Sequence, residues 1–194
     1  WDYNNCLVGL VVRCAAFGST GNECGVVPIF QWGEGPLNRD ELLPSPVNLV
    51  VIQHTATHAC QNDDDCETAV NAIRSFQTHQ LGFCDIGYSF LIGGNGKVYE
   101  GAGWNYVGAH TKKYNGRSIG IAFIGDFREK LPSPLALKAL RSLLSCGVNK
   151  KHLTEGYHLV AHSQLSNTQS PGAMLQKRVE MWPHWLDHPK DLLD

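Results

Sequence analysis

The stretch VNLVVIQHT, residues 47–55, decides the fold. Its apolar run is continuous rather than alternating and rich in β-branched Val and Ile, which predicts a strand buried on both faces and central in a sheet. The strand ends on Gln53, His54 and Thr55, polar side chains placed where it leaves the core. Downstream, residues 67–79 read as a helix, with Val70, Ile73 and Phe76 at three-residue steps and Cys66 tying its start. YSFLIG (88–93) and KVYEG (97–101) flank Gly94-Asn95-Gly96 and read as a hairpin, because Asn-Gly supplies the positive φ of a tight turn. SIGIAFIGDF (118–127) is a second buried strand. Ser133 and Pro134 open a helix as N-cap and first-turn proline, with Leu137, Leu140 and Leu144 along one face. YHLVAH (157–162) is a last strand and residues 173–182 a last helix. The expected fold is α/β: a single domain with a central mixed β-sheet flanked by about three α-helices.

Composition agrees with one globular domain: 194 residues, 43% hydrophobic and 18% charged, with no linker or repeat. A net charge of −2, from 16 basic and 18 acidic residues, argues against nucleic acid or an anionic membrane surface as partner. Seven cysteines without a CxxC point to an oxidising compartment rather than to zinc knuckles. Cys60 and Cys66 bracket the polar loop QNDDD, which fits a local disulfide, and the odd total leaves at least one cysteine outside any intrachain pair. CLVGLVVRCAAF (6–17) has no basic region before it, contains Arg13 and is too short to span a bilayer. It reads as mature structure packed on the core, with a partner-binding face as the alternative, and no membrane insertion is expected.

The polar residues gather at strand ends. Gln53 and His54 close the first strand, Tyr88 begins the next and His162 closes the last, so these side chains converge on one rim. The following segment, AHSQLSNTQSPG (161–172), has a loop composition closed by Ser-Pro-Gly, with His162 and Ser170 eight positions apart. A Cys at 170 would suggest zinc; a Ser does not.

These motifs resemble those of the peptidoglycan recognition proteins, which are related to zinc-dependent N-acetylmuramoyl-L-alanine amidases of the phage lysozyme type. The resemblance spans about residues 27–185 and is carried by VVIQHTAT, CDIGYSFLIGGNGKVYEGAGWNYVGAHT, YNGRSIGIAFIGDF, LLSCGV, HSQLSNTQSPG and WPHW. It is strongest to the short secreted members of insects. The implied division is a family-variable N-terminal segment, 1–26, and a recognition domain, 27–194.

In catalytic members, two histidines and a cysteine hold the zinc, at positions that correspond to Gln53, His162 and Ser170. Tyr88 matches the catalytic tyrosine. Only one strong ligand remains where a catalytic zinc needs about three, so the resemblance implies no metal, no cofactor and no enzyme activity. It implies instead a groove for a muramyl peptide, whose hydroxyls, amides and carboxylates call for hydrogen-bonding and aromatic walls. The candidates are His54, Thr55, Tyr88, Trp104, Asn105, Tyr106, His110, Tyr114, Asn115, Arg117, His162 and Ser163, with Trp104 and Tyr106 reading equally as packed core aromatics and Thr55 also as a structural strand end. Arg117 lies near the arginine that pairs with diaminopimelate in some members, whereas Asn105-Tyr106 resembles the pattern of lysine-type readers; the cues point to different stem peptides. Cys24 with Cys146 fits a family disulfide, as does Cys60 with Cys66. Cys84 fits a third position whose usual partner is missing, so Cys6 or Cys14 serves or the thiol stays reduced.

The implied role is a secreted, haemolymph-like extracellular receptor for bacterial peptidoglycan. It would act in innate immunity with other recognition proteins and a serine-protease cascade of the Toll type. Two alternatives come from the same residues: a carboxypeptidase-like hydrolase with Ser170 as nucleophile and His162 as base, and a protein-protein module using the apolar N-terminal face.

Overall fold

A computed structural model describes residues 23–189; CLVGLVVRCAAF and the pairing of Cys6 and Cys14 lie outside them. Six strands, β1 (Val26–Val27), β2 (Val47–His54), β3 (Phe90–Ile92), β4 (Val98–Glu100), β5 (Ile119–Phe123) and β6 (Leu153–Ala161), form one sheet in the order β1-β4-β3-β5-β2-β6. The sheet is mixed: β2 runs parallel to both β5 and β6, and β3 pairs antiparallel with β4. The boundary read between residues 26 and 27 passes through β1.

β2 is interior, with strands on both sides and only Asn48 exposed, as its unbroken apolar run requires. Val50 and Ile52 face one way, into a core closed by Leu140, Leu143 and Leu144 of α3 (Pro134–Asn149). Leu49 and Val51 face the other way, against Tyr114 and Val160. On that second face, Trp32 of α1 (Ile29–Trp32) and Val70 of α2 (Asp63–Ser75) cover Leu91 and Tyr99. α4 (His162–Leu165) and α5 (Ala173–Val179) complete the helices. Among the described residues, two short helices, α1 and α4, thus join the three expected ones. The additional two are single turns, too short to display a periodic apolar face.

α2 starts earlier than its apolar spacing suggests. Asn62 caps it by accepting from the Asp65 N–H at 3.0 Å, and Asp63, Asp64 and Asp65 occupy the first turn, where the helix dipole favours negative charge. The aspartates of QNDDD are therefore helix rather than loop. After Ser75 the chain makes a π turn, Phe76–Gln80. Gln77 continues the buried face of Cys66 and Val70 at ordinary helical spacing, whereas Phe76 lies off that face and is 54% exposed. In the hairpin, of Gly94, Asn95 and Gly96 only Gly96 takes a positive φ; Asn95 serves through its side chain, bonding Asp63, the Lys97 N–H and Tyr99.

Cys24–Cys146 and Cys60–Cys66 are disulfides, and Cys84 is disulfide-bonded rather than reduced. No helix among the described residues is long and apolar enough to cross a membrane.

Candidate functional site

Three parallel strands end side by side, with His54 of β2 opposite Phe123 of β5 and Ile52 of β2 opposite Ala161, the last residue of β6. The chain leaving β6 turns at once into α4, because the Gln164 side chain accepts from the Ala161 N–H at 2.7 Å. The segment read as loop therefore begins with a helical turn. Ser170 then fastens its far end to the sheet: its hydroxyl accepts from the His54 N–H at 3.1 Å, and its carbonyl accepts from the Ser163 N–H at 2.8 Å. Gly172 has a positive φ and sits so close to the Phe127 backbone that a Cβ would lie 2.4 Å from it, so this crossing requires glycine.

His54 accepts the Phe127 N–H on Nδ1 at 3.2 Å, which places its own proton on Nε2. Burial lowers its pKa, and Asp126, 3.9 Å from Nδ1, partly opposes this. Hydrogen bonds from Arg128 hold the Asp126 carboxyl at about 2. Burial, then the charge of His54, pushes His162 down to about 4.

Gln53 points to the opposite face of β2 from Ile52. Its amide nitrogen donates to the His110 carbonyl at 3.0 Å and lies 3.4 Å from the Thr111 hydroxyl, while its buried Oε1 has no partner. His110 lies flat against β5 at Gly120, where an added Cβ would come within 2.2 Å of the imidazole. Its burial pushes the pKa to about 3, with His162 adding to the shift. Burial also pushes the Tyr88 phenol up to about 12. His54, His110, His162 and Tyr88 are all uncharged at neutral pH and offer hydrogen bonds, beside the Asp126–Arg128 ion pair.

The three residues at the family's ligand positions do not fit a catalytic zinc. Gln53 offers a neutral amide oxygen, its nitrogen already committed to the 110–111 backbone and hydroxyl, and the Ser170 hydroxyl is engaged by the His54 N–H. His162 alone is a strong ligand. No group of three His, Cys, Asp or Glu among the described residues could hold a metal ion.

The residues read as groove walls make the following contacts in the fold. Trp104 is core: it packs 4.7 Å from Phe90, stacks on His152 at 4.9 Å and closes against Gly147 of α3. Tyr114 is buried against Leu49, Val51 and Val160, where its size fills the space under the loop. Asn115 uses its side-chain oxygen to hold the His110 and Thr111 N–H groups, and Thr55 bonds Thr57 and the Gly125 N–H. Asn105 is exposed and Tyr106 pairs with Leu42. Arg117 is exposed with its guanidinium 4.9 Å above the Tyr114 ring, and Ser163 donates to Gln176.

Other residues of the site escaped sequence reasoning. Arg74 grips the buried Asp85 with two bonds of 2.8 Å, and Arg39 bonds the Asp85, Ile86 and Val107 carbonyls. Burial alone would raise the Asp85 pKa; bonds from Arg74 and from the Asn38 and Ile86 N–H groups bring it below the usual range. Gln77 accepts from the Gly87 N–H at 2.7 Å. Together these fix the backbone leading into Tyr88. Their sequence separations carry no spacing signal, although Asp85 stands within CDIGY.

Residues 43–173 match the family model for N-acetylmuramoyl-L-alanine amidase. The chain is 49% identical to a peptidoglycan recognition protein of Trichoplusia ni over 92% of its own length and 98% of that protein. With peptidoglycan-recognition protein SA of Drosophila melanogaster it shares 43% identity over 94% of each. A crystal structure of tracheal cytotoxin bound to the ectodomains of peptidoglycan recognition proteins LCa and LCx superimposes with a TM-score of 0.81 at 47% identity, covering 83% of this chain and 98% of that one. On this fold, these strand ends and these identities, the chain belongs to the peptidoglycan recognition protein family.

Proposed function

We propose that the chain is an extracellular receptor that binds muramyl peptides of bacterial peptidoglycan at the strand-end rim without cleaving them. It passes the signal to other immune recognition proteins and a serine-protease cascade of the Toll type. The observation that carries this reading is the contrast within one site: an amidase-like position holding Gln53, His162 and Ser170, beside a polar rim whose histidines and tyrosine are uncharged. Neutral donors and acceptors suit the amides and hydroxyls of a glycan-linked peptide. His54, Tyr88 and His162 are the contacts proposed first, with Asn105, Tyr106 and Arg117 reading the stem. The relatives support the ligand class, since the LCa–LCx complex was solved with tracheal cytotoxin. The hydrolase alternative is not favoured, because the Ser170 hydroxyl engages the His54 backbone and no bond to the His162 imidazole is formed.

The test is a pull-down of the purified protein on insoluble lysine-type and diaminopimelate-type peptidoglycan, with zinc measured in the same preparation and released fragments analysed by mass spectrometry. Binding without stoichiometric zinc and without released peptide is expected. Released stem peptide or D-alanine would overturn the non-catalytic reading.

A further inference from the structure

Away from the strand-end rim, α3 and the turn after α5 enclose an open groove of about 580 Å³, floored by Leu144, Val148, Tyr157 and Trp182. A second apolar basin of about 480 Å³ continues from it, between Leu131, Pro132 and Leu137. Arg141 lines both, its guanidinium lying 4.5 Å above the Trp182 ring. Leu131 and Met181, 37% and 74% exposed, stand at the edges of the two basins.

The charge around these basins is one-sided. Lys138, Arg141 and Arg178 line them, and none makes an ion pair among the described residues. Glu155 is the one carboxylate in the lining. On a chain whose net charge is −2, a cluster of unneutralised cations around two apolar hollows is a local departure from the average surface.

We propose that this groove docks an acidic amphipathic segment of a protein partner. Its large apolar side chains would fill the two basins, and its carboxylates would meet Lys138, Arg141 and Arg178. Leu137 and Leu144, which line the two hollows, stand seven residues apart on α3, matching anchors about two helical turns apart. An anionic glycan would leave the aliphatic lining of Leu131, Leu137, Leu144 and Val148 unused. Tyr157 and His162 are separated along β6 by five residues, roughly 16 Å of strand, so a partner here leaves the rim open. The docking deepens the receptor reading by supplying a route for the signal, but the contact itself does not require glycan binding.

The experiment selects random 12-residue phage-displayed peptides on the immobilised full chain. Synthetic versions of the winners are then titrated by fluorescence anisotropy against the parent, Lys138→Glu, Arg141→Glu and Met181→Asp. All three sites are exposed, so folding is expected to survive, and unchanged peptidoglycan pull-down by each variant verifies it independently of the groove. The expected winners carry Asp or Glu between large apolar residues, weaken with salt, and bind Arg141→Glu and Lys138→Glu on the order of tenfold less tightly. No winners, winners without acidic residues, or winners indifferent to all three variants overturn the proposal. So does sedimentation showing that a second copy of the chain already occupies the groove. Loss of peptidoglycan binding by the parent, with the peptides still groove-dependent, would overturn the glycan reading and leave the docking site standing.

Discussion

At the scale of single residues, the proposed site carries Gln53 and Ser170 where the resemblance expects a histidine and a cysteine. Because Gln53 stands near the paired end of β2 and Ser170 in a loop where its carbonyl is held by the Ser163 N–H, replacing them should restore chemistry more than it disturbs the fold. The double change Gln53→His with Ser170→Cys is expected to bind zinc stoichiometrically, measured by elemental analysis after dialysis, while either single change binds far less. A double variant without zinc would mean that the three positions do not converge. His110 supplies a second expectation. Its folded pKa of about 3 lies below the ordinary value of about 6.5, so the unfolded chain takes up a proton first as pH falls. Stability from this group is complete above about pH 6.5 and is lost progressively toward pH 3, on the order of 2 kcal/mol by pH 4.5. His162 acts in the same direction. Urea midpoints at pH 7.5 and 4.5 should differ less in His110→Gln than in the parent; an equal or larger difference would count against buried neutral His110.

At the scale of elements, what was legible was whatever a long apolar period spells out. β2, β5, the body of α2 and α3 with its Ser133 cap all follow from runs that must be buried on one or two faces. Elements shorter than about a turn, such as α1 and α4, have no period to read and form because tertiary partners and caps place them. The start of α2 was misread for a related reason: its first turn is all aspartate, and only the Asn62 cap and the helix dipole explain it. Asn62→Ala is accordingly expected to lower stability by about 1 kcal/mol in denaturant unfolding, with peptidoglycan binding unchanged. A shift below about 0.3 kcal/mol would show that the Cys60–Cys66 bridge alone defines that end. The site was partly legible: Gln53, His54 and His162 come from strand ends. Arg39, Arg74 and Asp85 join segments that only the folded sheet brings together, and Trp104 could be read either as wall or as core, because an aromatic in a polar-looking stretch reads the same whether it lines a groove or fills a core.

At the scale of the whole molecule, Cys24–Cys146 ties the first described turn to α3 across 122 residues of chain. Closing so long a loop restricts the unfolded chain strongly, and replacing both cysteines with Ser is expected to cost about 4 kcal/mol, read as a lower urea midpoint with unaltered far-UV circular dichroism. A cost under 1 kcal/mol would mean that the packing of that turn against α3 holds it without the bridge.

The strand order has a consequence for how the chain is made. β2 leaves the ribosome early, yet both its neighbours, β5 and β6, belong to the last half of the sequence. From residue 54 until β5 is made, β2 therefore waits with two open edges, the condition under which chains pair with one another instead of with themselves. Folding speed, and with it the yield of folded protein, should depend on how quickly residues 119–161 arrive. A chain stopped before β6 would leave Val50, Val51 and Ile52 unpaired along one side, a candidate for disposal rather than a weaker receptor.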